Sequence, residues 1–168
     1  MRGLKLILGG EKNILVRFSD ADWASHIHRH SISEFAYFVG LGIIMWSAKK
    51  QPIITLSSTE LEYVALTHAL KEILWLHKLL KELSFVYPLS FPTTLYCDNQ
   101  GAIELSKDSK FHARTKHIDV HFHFVRQTVV QGHTVIEYCP TNDMVADIFM
   151  KSLAHIKFQK FHGLLNVV

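Results

Sequence analysis

Cysteine is scarce: Cys97 and Cys139 are the only two in 168 residues, they lie far apart, and neither belongs to a CxxC pair. That excludes a disulfide framework and a zinc ribbon, and it suits a reducing, intracellular compartment. Long apolar runs are missing too. No stretch approaches the roughly 18 residues of a membrane span, and Met1 to Gly10 lacks the layout of a secretory leader, so neither membrane attachment nor export is expected. Repeats and low-complexity tracts are also absent. Neither sign of charge is in large excess. Eighteen Lys and Arg against 15 Asp and Glu give a formal +3, with 12 histidines able to add to it below neutral pH. This balance suits a polyanionic partner without requiring one. A hydrophobic content of 48% is enough for one compact domain with a single core.

Gly9-Gly10, Gly40 to Gly42, Tyr87 to Pro92 and Pro140 to Asn142 divide the chain into alternating blocks. Ile14, Val16, Phe18 and Asp20 share one face at period two, which predicts a first strand with a carboxylate at its end on the apolar side. Phe35 to Val39 and Ile43 to Trp46, joined by Gly40-Leu41-Gly42, read as a following hairpin. Ser57 to about Leu83 is the strongest helix, opened by a Ser57–Glu60 capping box, with Leu66, Ala69, Ile73 and Leu80 on one face. Thr93 to Cys97 predicts a short strand ending at Asp98, and Asn99 can cap a helix running to about Lys107. Thr115 to about Gln131 reads as a helix ended by Gly132. A strand from Thr134 to Tyr138 follows, then helices over Asn142 to Met150 and Lys157 to Leu165. The alternation implies an α/β fold, a mixed sheet with helices packed on it.

Acidic residues recur where a lone charge would be costly to bury. Asp20 ends the first strand and Asp98 closes the fourth. Glu62 lies four, seven and eleven residues before Leu66, Ala69 and Ile73 and shares their buried stripe, whereas Glu60 aligns with Val64, Thr67 and Lys71 and is expected to face solvent. Asp147 sits beside Val145 and Ile148 near a helix start. Hard divalent ions such as Mg²⁺ prefer oxygen ligands, and paired ions suit phosphodiester cleavage. Ordinary readings compete with this one: Asp98 as an N-cap neighbour, Asp143 as a first-turn acid, and Asp20 or Asp22 as a turn residue. Spacing alone leaves both readings open.

The segments Phe18-Ser-Asp-Ala-Asp-Trp-Ala24, Trp46-Ser-Ala-Lys-Lys-Gln-Pro52, Leu56-Ser-Ser-Thr-Glu-Leu-Glu-Tyr63, Tyr96-Cys-Asp-Asn-Gln100, Phe111 to Asp119 and Tyr138 to Asp147 occur in that order. Together they resemble the ribonuclease H region of copia-type retrotransposon Pol polyproteins, from about Leu4 to near the C-terminus. The resemblance implies a ribonuclease H-like domain over residues 13–168, with residues 1–12 left from the segment connecting it to a reverse transcriptase. It further implies a five-stranded mixed sheet in the order 3-2-1-4-5. Asp20, Glu62, Asp98 and Asp147 would be both catalytic residues and ligands of two Mg²⁺ or Mn²⁺ ions. In that scheme Asp20 bridges both ions, Glu62 and Asp98 hold one, and Asp147 completes the other. The activity implied is hydrolysis of the RNA strand of RNA/DNA hybrids during reverse transcription, in the cytoplasm or a virus-like particle. The partners would be the hybrid and the reverse transcriptase part of the same polyprotein, with no membrane, and the isolated domain would be a monomer.

Three departures from the family pattern fall outside the four carboxylate positions and are expected not to touch them. Glu34 stands where glycine is usual, His26 to His30 is unusually basic, and Met150-Lys-Ser-Leu153 replaces a usual TKPL. The loop Pro140-Thr141-Asn142 holds no histidine to serve as a base. Lys49, Lys50, Arg114 and Lys116 are candidates for phosphate contacts, and Asn99 and Gln100 for sugar-edge contacts. His117, His121 and His123 lack the His-Glu-x-x-His pattern and read as a polar helix face. Trp23, Trp46 and Trp75 are expected in core or rim packing. The competing functions are a catalytically idle nucleic-acid-binding or structural remnant, then an integrase, then a histidine-based metal module.

Overall fold

The computed structural model describes residues 15–22, 31–40, 42–83, 92–107 and 119–166. Strands β1 (Leu15–Asp22), β2 (Ile32–Val39) and β3 (Gly42–Lys50) precede helix α1 (Ser58–Glu82). After these come β4 (Thr93–Cys97), α2 (Gln100–Lys107), α3 (Asp119–Val130), β5 (Thr134–Tyr138), two 3₁₀ turns (Thr141–Asp143 and Val145–Phe149) and α4 (His155–Leu164). The strands form one sheet in the order β3-β2-β1-β4-β5, as the family resemblance implied.

β1 and β2 pair antiparallel from Leu15↔Val39 to Asp22↔Ile32, and β3 continues the meander through a turn in which Gly40 takes φ 61°, a left-handed conformation that favours glycine. β4 then pairs parallel to β1 through Phe18↔Tyr96, and β5 parallel to β4 from Thr93↔Thr134 to Cys97↔Tyr138. Parallel neighbours need a crossover, which α1 supplies between β3 and β4. Alternate side chains divide the core. Tyr37, Leu95, Cys97 and Ile136 pack under α1, α2 and α3, while Ala36, Phe38, Met144, Val145 and Phe161 form a second cluster on the other face.

Helix α1 starts as its sequence requires: Ser57 Oγ accepts from Glu60 N at 3.2 Å. The Glu60 carboxylate reaches past Ser57 and accepts instead from Leu56 N at 2.7 Å. Glu60 is also buried rather than facing solvent, together with Val64 and Thr67. α1 packs against β1, β2, α2 and α3, so more than one stripe is covered, whereas the periodicity argument assumed a single covered face.

Two further expectations change. The segment Asn142 to Met150 is not an α-helix but the pair of 3₁₀ turns, closed by bonds such as Asp147 N to Met144 O at 3.3 Å. Met144 to Asp147 are four consecutive buried residues, which a helix covered on one side cannot provide. Trp46 does not end its strand, because β3 continues to Lys50, and its ring stacks on Phe149 with centroids 6.3 Å apart while remaining over half exposed. Trp75 is also half exposed, and Trp23 lies outside the described residues. The last helix begins at His155, earlier than expected. Residues 1–12, assigned to a connecting segment, lie outside the described residues.

At the sheet end where β4 begins, Arg17 is fully buried. Its Nη2 lies 3.1 Å from His77 Nε2, which is also 2.9 Å from Thr93 Oγ1, while Nε and Nη1 have no hydrogen-bond partner. Burial lowers the Arg17 pKa to about 9. Burial, then the nearby Arg17 charge, lowers that of His77 to about 4. Replacing an incompletely paired buried charge with an apolar group of similar length is often neutral or stabilising. We therefore expect Arg17→Met to leave thermal stability unchanged or to raise it by about 1 kcal/mol or more. A clear fall in Tm would show that the guanidinium is better compensated than its contacts indicate.

Candidate active site

The four acids come from four elements and gather around the C-terminal ends of β1 and β4. Asp20 and Asp98 each lie two residues beyond the Phe18↔Tyr96 pair, so the parallel register sets them level on neighbouring strands. Glu62 enters from the first turns of α1, packed on one face of the sheet, and Asp147 from the turn Val145–Phe149 on the other.

Glu62, Cys97 and Asp98 bring one ligand atom each to within 4.8 Å of one another. The backbone N–H of Ala21 donates to the Glu62 carboxylate, but Glu62 Oε2 is buried with no partner. Asp98 Oδ2 accepts from Thr141 Oγ1 at 2.7 Å. On the other side, Lys151 Nζ lies 2.5 Å from Asp20 Oδ2 and 2.8 Å from Asp147 Oδ1. Lys157 Nζ donates to Asp147 Oδ2 at 2.7 Å and to Thr141 O at 2.9 Å. The last helix and the turn before it are thus tied to the same carboxylates.

Crowding of buried negative charge shifts these groups. Burial, then hydrogen bonding with Asp147, raises the Asp20 pKa to about 7 against the pull of Lys151. Burial, then the charges of Asp20 and Asp98, holds Glu62 well above the usual carboxylate range. Burial would raise Asp147 as well, but hydrogen bonds from Asp20, Lys151 and Lys157 outweigh it and the net shift is downward. The Cys97 thiol is pushed up by burial and by Glu62, which keeps it neutral and a poor partner for a hard ion. The donor set is therefore one of carboxylate oxygens. With one Glu62 oxygen orphaned and the Asp98 carboxylate close to Glu62, it fits an oxygen-preferring divalent cation.

The remaining candidates are more dispersed. Lys49 and Lys50 are exposed near the end of β3, where Lys49 borders a groove lined by Ser33, Ser47, His68 and Lys71. Asn99 uses its side-chain oxygen to cap α2, accepting from Ala102 N at 3.0 Å, and Gln100 is exposed in the first turn. Arg114, Lys116, His117 and His26 to His30 lie outside the described residues; His121 is half-buried and His123 exposed on α3. Thr141, Lys151 and Lys157 were not singled out from the sequence. Lys151 had a local signal, its place four residues after Asp147, but nothing near Lys157 points to the site.

The Asp20 shift predicts a pH dependence. Between its ordinary value of 3.8 and about 7, folded Asp20 holds a proton that the unfolded chain releases, so its contribution to stability falls as pH rises through that window. Without divalent ions, the Tm of Asp20→Asn relative to the unsubstituted chain should climb between about pH 4 and pH 7 and then level off. A difference independent of pH would mean that Asp20 ionises normally.

Comparisons with known proteins agree with this architecture. The chain is 39% identical over 155 residues to the retrovirus-related Pol polyprotein from transposon TNT 1-94 of Nicotiana tabacum, covering 92% of this chain and 11% of that protein. It is equally identical over 153 residues to the corresponding polyprotein from transposon RE2 of Arabidopsis thaliana, covering 90% and 10%. The chain thus spans about a tenth of the length of the curated relatives it matches. No protein-family model matches it. Among solved structures, the N-terminal RNase H domain of a Mycobacterium tuberculosis protein superposes with TM-score 0.55 at 13% identity, covering 89% of this chain and 97% of that one. LC11-RNase H1, solved in complex with RNA/DNA hybrid, gives 0.54 at 12% identity, covering 79% and 91%. With sequence shared along nine-tenths of its length and a ribonuclease H sheet, the chain belongs to the retrovirus-related Pol polyproteins of transposons, as a segment with the ribonuclease H fold.

Proposed function

We propose that the chain cleaves the RNA strand of RNA/DNA hybrids at the carboxylate cluster, as the ribonuclease H part of a retrotransposon polyprotein during reverse transcription. The observation that carries this reading is the placement of Asp20, Glu62, Asp98 and Asp147 around two adjacent strand ends, with a buried Glu62 oxygen left unpartnered. Two divalent cations, Mg²⁺ or Mn²⁺, would supply activation of water and neutralisation of charge at the phosphodiester. Glu62 and Asp98 would hold one, Asp147 the other, and Asp20 would face both. Thr141 orients Asp98, and Lys157 fixes Asp147. No side chain in the loop Pro140-Thr141-Asn142 offers a general base, so proton movement is left to water and the carboxylates.

Lys49 and Lys50, together with Arg114 and Lys116, would position the phosphates of the hybrid. Gln100, and Asn99 insofar as its cap leaves its amide free, would face sugar edges. The reverse transcriptase part of the polyprotein is the expected covalent neighbour, in the cytoplasm or a virus-like particle. Among the described residues no helix is long and apolar enough to cross a membrane.

One observation favours the competing reading of a catalytically idle, hybrid-binding remnant: the Lys151 ammonium already neutralises the Asp20–Asp147 pair. Incubation of the purified chain with labelled RNA/DNA hybrid and Mg²⁺ or Mn²⁺ separates the two. Cleavage abolished by chelation supports the enzyme, whereas binding without cleavage supports the remnant.

Glu62 and Glu60 offer an internal control, being chemically identical and two positions apart. Glu62→Gln should lower cleavage by about 100-fold or more while leaving the fold intact. Glu60→Gln should keep activity and cost well under ~1 kcal/mol, since the amide oxygen can still accept from Leu56 N. Equal losses from both would place the wrong face of α1 at the site. Hybrid binding should also weaken steeply with salt and little with sequence, and Lys116→Ala should weaken it uniformly. Affinity insensitive to salt would remove the lysines from this role.

A further inference from the structure

Glu34 lies in the interior on β2 with no hydrogen-bond donor on its carboxylate. It is 0% exposed, and among the described residues it is the one acid with both carboxylate oxygens buried and without a hydrogen-bond partner. The β1–β2 register sets it directly opposite Asp20. Residues so opposed point to the same face of a sheet with Cβ atoms about 4.5–5.5 Å apart, and like charges there repel. That face is the one covered by the turn Val145–Phe149, since Ala36 and Phe38, the next residues in the same alternation, pack with Val145 and Ala146. The charged groups acting on Glu34 are Asp20, Lys151, Asp147 and Asp22, which are the site's own and their neighbour.

Lys151, the nearby cation, is already engaged by Asp20 and Asp147. Asp98 is held by Thr141, and Asp147 by two lysines. A glutamate serving only to fill space would be paired with donors, as these are, or replaced by an apolar residue of similar volume. Two orphaned oxygens facing Asp20 across one pair of strands are instead what a hard cation would satisfy.

Resting on the reading of this site as a divalent-metal centre, we propose that Glu34 is a fifth acidic residue of that centre, supplying carboxylate oxygen to the divalent cation shared by Asp20 and Asp147. It raises the negative charge on that side of the strand ends and so strengthens cation binding. The same charge makes the cation-free fold less stable than a neutral residue at position 34 would.

The test is Mn²⁺ binding to the full chain, followed by calorimetric titration and by Tm against Mn²⁺ concentration. It compares the unsubstituted chain, Glu34→Gln, Glu34→Ala, and Glu137→Gln on the exposed edge of β5 as a charge control. We expect Glu34→Gln and Glu34→Ala to need about tenfold more Mn²⁺, or above, for the half-maximal rise in Tm. Their Tm without metal should match or exceed that of the unsubstituted chain, and Glu137→Gln should leave the Mn²⁺ midpoint where it was. An unchanged midpoint in both Glu34 variants would overturn the proposal while leaving the metal centre standing. No Mn²⁺-dependent rise in the unsubstituted chain would overturn both. Loss of folding in both Glu34 variants would show a structural role and likewise overturn it.

Discussion

Negative charge confined at the ends of two parallel strands is the constraint around which the rest of the structure is arranged. Asp20 and Asp98 are brought level by the β1–β4 register, and Glu62 approaches them against their repulsion. Water cannot relieve this crowding, because Asp20, Glu62 and Asp147 are almost fully buried. The surroundings therefore bring positive charge and donors from afar: Lys151 between Asp20 and Asp147, Lys157 from α4, the Thr141 hydroxyl on Asp98 and the Ala21 amide on Glu62. Even so, one Glu62 oxygen and both of Glu34 remain without partners.

The topology is what makes such crowding attainable. Lys151 and Asp20 are separated by 131 positions in the chain, and no local turn could join them. A meander places β1 in the middle of the sheet, the α1 crossover returns β4 beside it in parallel, and both strands then end on the same side. Helix α1 approaches this end from one face and the turn Val145–Phe149 from the other, so the acids meet around the edge of the backbone instead of on a single surface. The hydrophobic clusters on the two faces fix those approaches. Tyr37 adds a specific tie on the α1 face, its hydroxyl donating to Ala69 O at 2.5 Å.

How much of this was legible in the sequence depends on the range of the interaction concerned. Period-two alternation located β1 and β5, and the capping residues Ser57 and Asn99 marked the starts of α1 and α2, because these signals act within a few residues. The buried stripe of α1 singled out Glu62, but the same logic misplaced Glu60, since periodicity does not report how many neighbours a helix will have. For Asp147 spacing suggested a helix, whereas four successive buried residues demanded a tighter turn. The order of the strands came from resemblance alone. Lys157 and Thr141 were invisible, because each acquires its role by contact with a residue brought near only by folding. Glu34 was noticed as a departure from a pattern, while its burial opposite Asp20 emerged only with the strand register.

Lys157 binds a carbonyl of one turn and a carboxylate of the next, and Phe161, one helical turn further on, is fully buried in the second core cluster. The stretch after Ala154 thus helps to hold the acidic cluster in place, although it contains none of the four acids. Without α4, Asp147 would lose its Lys157 partner and the second cluster would lose Phe161, so a terminal helix far from the strand ends still bears on the carboxylates.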